Sequence, residues 1–342
     1  MKKNIIIAVI VFVLVGIGVY GNHMNTVNEL KVAKPVYDKA VKKDKVIGLS
    51  IDQGFESRIN VTAAIKRVAG EKGYVVKEMI AEGDAQMQNV QIQSLLSEGI
   101  DVLLVCAVDQ NLIENTLMEV KSKGVPIVAF DRNLPDSKAI DTYVGPDSID
   151  DGMTCGYAMI AIAMQKKEKA PIYVLELVGA LNDQNGIDRS KGFHIAMNSM
   201  PEIEVIQVAT DWDEKSAKEA VRNAFQIIPE IKAVFCATDA FVPGVNSVLE
   251  QMGLKLPVGS KGHICVNGIN GSKEGYKAVI DDEIDGFMVM DLERIGRTTV
   301  EMAQNLMNEK PVQKLNLVES TYYNKEEALR NKNSIWGASD YR

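Results

Sequence analysis

Asp131 and Arg132 place opposite charges side by side after Ile127–Phe130, four apolar residues suited to a strand covered on both faces. Asn133, Pro135 and Asp136 follow and end that strand. A carboxylate next to a guanidinium can pair locally in a solvated turn. It can also offer one ligand an acceptor and a fork of donors. Comparable residues recur in other polar stretches: Gln53, Phe55 and Arg58 in "GLSIDQGFESR", and Asn182, Asp183, Gln184, Asn185 and Arg189 in "GALNDQNGIDRSKGF". Trp212 in "TDWDE", Asp239 in "ATDA" and Asn270 in "GINGS" complete the set. Each hydroxyl of a polyhydroxylated ligand both donates and accepts, so Asp, Asn and Arg in pairs would satisfy it while Phe55 and Trp212 cover its C–H faces. Trp212 lies between two aspartates, an uncommon place for a core tryptophan; a surface or boundary position is the alternative reading. Asp109 and Asp239 each open a helical stretch and read as N-caps, a role compatible with facing a ligand.

Other chemistry has little support. His23, His194 and His263 are far apart and are not spaced with cysteines or carboxylates as metal ligands. No Gly-x-Gly-x-x-Gly follows the first strand, and there is neither a Walker loop nor a Gly-x-Ser-x-Gly elbow. The chain therefore reads as a binding protein without cofactor or metal, and an α/β hydrolase or dehydrogenase is the weaker alternative. A net charge of -8 over 342 residues argues against a nucleic-acid partner.

The elements that would hold these residues alternate regularly from Lys45 onward. Apolar strands read "KVIGLSI", "YVVKEM", "DVLLVC", "PIVAF", "PIYVLEL", "IEVIQVA", "KAVFCA", "HICVNG" and "GFMVM". Helical spacing marks residues 59–71, 87–96, 111–121, 214–227 and 242–251 between them. Such alternation predicts an α/β fold of parallel sheets with helices on both faces, and ligands bind at the carboxyl ends of such strands. An internal echo links "IDVLLVCAVDQ" to "IKAVFCATDA", and "PIVAFDRN" to "HICVNGIN", as two copies of one α/β unit would. Cys106, Cys236 and Cys265 lie in strand-like runs and Cys155 in a helix-like one, so all four read as buried free thiols.

The N-terminus is different. Lys2 and Lys3 precede an apolar run from Ile5 to Tyr20, so residues 1–24 read as a secretory signal or a membrane anchor and 25–44 as a polar tether. Both readings keep the lysines on the cytoplasmic side and place the remainder outside. Without a clean Ala-x-Ala site or a lipid-accepting Cys, the retained helix is the slightly better fit.

From Lys45 to Glu319 the chain resembles the type I periplasmic sugar-binding proteins of the ribose, xylose and galactose group. The resemblance rests on "IGLSIDQGFESR", "GVPIVAFDRN", "DRSKGF", "ATDAFVPGV" and "NGINGSKEG" followed by "DGFMVMDLERIG". It implies two doubly wound lobes with parallel sheets joined by a three-strand hinge and closing on a monosaccharide or related polyol. The lobes would be 45–145 plus 291–319 and 146–290 plus 320–342, with crossings near Gly145, Asp291 and Glu319. Asp131 and Arg132 look like the N-lobe pair that grips sugar hydroxyls, Arg189 like the C-lobe arginine and Trp212 like the stacking aromatic. The implied membrane partner is an ABC permease, with a sensor kinase as the alternative. Repressor ligand cores share the fold but follow a helix-turn-helix headpiece, whose place here is taken by the apolar run. Relatives often carry Asn-Asp where this chain has Thr238-Asp239, an Asp at the place of Asn270 and, in ribose binders, an Asn at that of Cys106. Trp212 and the Glu-Ser-Arg of residues 56–58 lean towards xylose-type relatives.

Overall fold

A computed structural model describes residues 44–341; the signal-or-anchor reading of 1–24 and nearly all of the 25–44 tether lie outside the described residues. Apolar runs become strands where helices cover both faces, which removes their backbone and side chains from water together. The first half runs β1 (Val46–Ile51), α1 (Glu56–Glu71), β2 (Val75–Ile80), α2 (Ala85–Ser97), β3 (Val102–Val105), α3 (Glu114–Ser122), β4 (Ile127–Phe130) and β5 (Thr142–Pro146). It is followed by α4 (Ser148–Lys166), β6 (Ile172–Val178), α5 (Gln184–Met197), β7 (Ile203–Ala209), α6 (Glu214–Ile227), β8 (Ala233–Cys236), α7 (Val242–Gln251), β9 (Cys265–Asn270), α8 (Lys273–Ile280) and β10 (Gly286–Val289). The chain ends in α9 (Leu292–Met307), β11 (Leu315–Val318), β12 (Thr321–Tyr323) and α10 (Lys325–Arg330).

Two six-stranded sheets form, with orders β2-β1-β3-β4-β5-β11 and β7-β6-β8-β9-β10-β12. Their first five strands take the same order, so the echo in the sequence is one in space. β3 and β8 hold the third place in each sheet, and Asp131 after β4 is the topological counterpart of Asn270 at the end of β9. Strands pair in parallel except β12, which runs antiparallel to β10 with Phe287 opposite Tyr323. This departs from an all-parallel reading for a simple reason. Only Glu319 and Ser320 separate β11 from β12, so the chain leaves the carboxyl edge of the first sheet and enters the second from its own carboxyl edge. The two carboxyl edges therefore face each other.

Both faces of each sheet carry apolar core. Leu49, Leu104 and Phe130 pack with Ile295 and Val300 of α9 on one face of the first sheet. Leu103, Ile127 and Tyr143 pack with Ile92 and Leu117 on the other. In the second sheet, Leu175 and Val234 pack with α6 and α7, while Val174 and Phe235 pack with α4 and α5. All four cysteines are buried and free.

Some elements lay outside the sequence reading. β5, β11 and β12 are short edge or near-edge strands, and β5 contains Gly145 and Pro146, which weaken a strand signal. α5 begins inside the polar stretch "GALNDQNGIDRSKGF", to which the sequence spacing assigns no helix, and its Gly186 and Gly192 lower intrinsic helix propensity. Packing explains the glycine at 192. A Cβ there would stand 1.8 Å from Ile149 O, and one at Gly152 would stand 1.9 Å from Arg189 O. Helices α4 and α5 can thus touch backbone to backbone beside Arg189. No described helix is long and apolar enough to cross a membrane.

Candidate functional site

The facing sheet edges enclose a cavity of about 290 Å3. Phe55, Arg58, Asp131 and Arg132 line it from the first sheet, and Asn185, Arg189, Trp212, Asp239 and Asn270 from the second. Two expected residues stand apart. Gln53 is turned towards the loop after β2, where a Cβ on Gly83 would meet its Nε2 at 2.7 Å. Asn182 sits on the exposed rim and donates from Nδ2 to Asp109 Oδ2 at 2.9 Å.

The first edge is organised by a buried carboxylate that lies within "GLSIDQGFESR" but outside the expected set of site residues. Asp52, at the end of β1, is fully buried and accepts from Arg58 Nε at 2.9 Å. Its other oxygen lies 3.2 Å from Arg132 Nη2. Burial works to raise the Asp52 carboxyl, but Arg58 and Arg132 hold it below its ordinary value. Arg58 also pairs through Nη1 with Asp131 Oδ2. Arg132 donates from Nη1 to Ala107 O at 3.0 Å, which anchors it to the end of β3. Asp131 takes a left-handed backbone, φ 60°, and the Tyr143 hydroxyl donates to its carbonyl at 2.7 Å. That turn swings its carboxylate over the cavity, and an aspartate tolerates it better than most residues do.

On the second edge, Asp183 caps α5 by accepting from Asn185 N at 2.9 Å. Its second oxygen accepts from Trp212 Nε1 at 2.9 Å. Trp212 itself has φ 61°, a conformation costly for a bulky residue and of the kind that collects at ligand sites. The indole lies 5.9 Å from the Arg189 guanidinium, measured at the ring centroid. Arg189 donates to Ala237 O at 2.8 Å and to Asn270 Oδ1 at 3.2 Å. Its buried Nε has no hydrogen-bond partner among the described residues.

Asp239 corrects one expectation. It does not cap a helix: Thr238 holds that position, its hydroxyl accepting from Ala240 N at 3.3 Å. Asp239 Oδ2 instead accepts from Gly271 N and Ser272 N, each at 2.8 Å, while its buried Oδ1 has no partner among the described residues. Burial pushes its carboxyl up to about 7 despite those amides, with Glu274 adding to the rise. Asp109 likewise holds a turn, accepting from Asn111 N at 2.7 Å and Leu112 N at 3.2 Å, whereas α3 begins at Glu114.

Contacts cross the cavity between the edges. Arg132 Nε lies 2.8 Å from Asp183 Oδ2, and Asn185 Nδ2 donates to Asp131 Oδ1 at 2.9 Å. Met290 and Trp336 complete the wall where the chain passes between sheets. Trp336 escaped sequence reading because its local context, a polar C-terminal stretch, carries no sign of a site. The arrangement offers paired donors and acceptors between aromatic faces, which is suited to holding hydroxyls.

A family model described as "Periplasmic binding protein domain" matches residues 47–311. The ribose import binding protein of Bacillus subtilis is 26% identical over 274 residues, covering 80% of this chain and 85% of the relative. A Mycobacterium smegmatis protein solved in complex with β-D-fucofuranose superposes with a TM-score of 0.77 at 21% identity, covering 87% of this chain and 98% of its own. The fructose-binding periplasmic domain of a hybrid two-component system superposes with a TM-score of 0.76 at 22% identity, covering 87% and 96%.

Proposed function

Because this chain belongs to the type I periplasmic sugar-binding protein family, we propose that it is an extracytoplasmic receptor for one monosaccharide or related polyol and delivers it to an ABC permease. It is a binding protein and not an enzyme. One observation carries the reading: a single cavity receives Asp131 and Arg132 from one sheet edge and Asn185 and Arg189 from the other. A ligand there would bridge two lobes, 45–145 plus 291–319 and 146–290 plus 320–342. Closing around it would change the outer surface that a membrane partner reads. In this reading Asp131, Arg132 and Arg189 grip hydroxyls, and Phe55 and Trp212 cover the ring.

The ribose-binding relative and the neighbour with a bound fucofuranose support a small sugar. Ribose and xylose are accordingly the first candidates. A thermal-shift screen over pentoses, hexoses and polyols tests this. A saturable rise in melting temperature with one sugar class is the expected result, and no rise with any member would reject the receptor reading.

A sensing role is the second reading. The fructose-binding domain of a two-component system supports it, as does the apolar run of residues 5–20. N-terminal sequencing of the chain from native membranes separates the two. A retained Met1 would favour sensing beside a kinase, and a mature chain starting near Asn22 would favour transport.

A further inference from the structure

The C-terminal stretch Trp336–Tyr341 brings an aromatic side chain to the inner end of the cavity. Trp336 is held there from three sides. Its Nε1 donates to Asn270 O at 2.8 Å. The next residue, Gly337, donates from its amide to Gly271 O at 3.0 Å, so close to that turn that a Cβ would stand 2.2 Å from the Ser272 carbonyl carbon. The flanking Ile335 and Ala338 are fully buried in the core of the second sheet. The indole also packs against the core of the first sheet, the cluster that includes Met290. It is therefore fixed against both cores, at the end of the cavity where the chain crosses between the sheets.

We propose that Trp336 is a specificity-determining wall: it limits how large a substituent the bound sugar can carry at the hinge end of the cavity. The proposal rests on the sugar-receptor reading above. Phe55 and Trp212 would cover the faces of a ring, and their loss would weaken all sugars. Trp336 stands at a different boundary and shares its anchor, Asn270, with the arginine that grips the ligand. Shortening it would open space at one end of the ring and leave the polar grip in place. Its effect would fall on the ratio between sugars that differ by a ring substituent. One methylene in an apolar pocket changes such a ratio by roughly 10-fold to 200-fold.

Trp212 and Trp336 are the only tryptophans in the chain, and both line this cavity. Intrinsic tryptophan fluorescence consequently reports on the site alone. The test titrates D-xylose, D-ribose, D-glucose and D-galactose into wild type, Trp336→Leu and Trp336→Phe, and reads fluorescence and calorimetry. Leu keeps the apolar plug under both cores but is shorter than indole; Phe keeps a ring and removes the N–H. The expected result for Trp336→Leu is a shift of about tenfold or more in the hexose-to-pentose affinity ratio, in favour of the hexose. Trp336→Phe should shift the ratio less in the same direction. Equal weakening of all four sugars, or an unchanged ratio, would overturn the wall while leaving the receptor standing. A wild-type chain that binds no member of the pentose, hexose and polyol screen would refute the receptor reading and the wall with it. Should Trp336→Leu fail to fold, an unchanged ratio in Trp336→Phe overturns the proposal.

Discussion

Asp183 Oδ2 stands 2.8 Å from Arg132 Nε although the two residues belong to facing sheet edges. The same oxygen accepts from Trp212 Nε1, and the other oxygen caps α5. One carboxylate thus ties a charge of the first edge to a helix and an aromatic of the second. Asp183→Asn keeps an N-cap and a side-chain acceptor but removes the ion pair. We expect the ligand-free variant to have a larger radius of gyration than wild type by small-angle scattering. Identical scattering profiles would show that the pair does not hold the lobes together.

Trp212 should matter to affinity more than to selectivity. Removing an aromatic face from a sugar costs on the order of 1 to 3 kcal/mol at ~25 cal/mol per Å2 of apolar area. Trp212→Ala should weaken binding about tenfold to a hundredfold. The indole also packs on the core near Phe241, so calorimetry must be paired with the melting temperature of the ligand-free variant. Unchanged affinity in a folded variant would remove Trp212 from the site.

The charged residues should separate into two behaviours. Arg189 makes no ion pair with a carboxylate among the described residues, so Arg189→Ala should abolish most binding with a modest loss of stability. Asp131→Ala takes from the buried Arg58 one of its two carboxylates and should lower both. A lost hydrogen bond to a charged group is worth roughly 1.5 to 3 kcal/mol. A ligand-induced rise in melting temperature that survives Arg189→Ala would exclude it from the grip.

Stability should fall as pH rises through the range between 3.8 and about 7. Burial lifts the carboxyls of Asp151 and Asp239 from 3.8 to about 7 in the folded chain. In that window the unfolded chain has released protons that the folded chain still holds, so raising pH favours unfolding. Asp52 acts in the opposite sense, its lowered carboxyl losing stability as pH falls towards and below 3.8. Asp151 lies in the first turns of α4 outside the cavity lining, and Asp151→Asn isolates its part. The variant should melt higher than wild type at pH 8 and nearly equal to it at pH 4. Parallel pH profiles for the two proteins would contradict the assignment.

What the sequence determined by itself is what repeats along the chain. Each of the nine apolar runs became a strand, because a short, largely apolar run bounded by turn formers is best buried in a covered sheet. The placement of Asp131, Arg132 and Asn270 at carboxyl strand ends followed from the same pattern, and so did the echo between the two sheets. Tertiary structure decided the rest. Asp52 reads as an ordinary residue after a strand until Arg58 and Arg132 converge on it. Asp239 reads as a cap until Gly271 and Ser272 turn their amides to it. α5 is poor in helix signals until α4 packs against its glycines. Trp336 is 66 residues from the carbonyl it binds, and no local period or spacing encodes such a contact. Neighbouring residues are constrained by backbone geometry, which a sequence displays; distant ones meet only because burying both cores brings their sheet edges together.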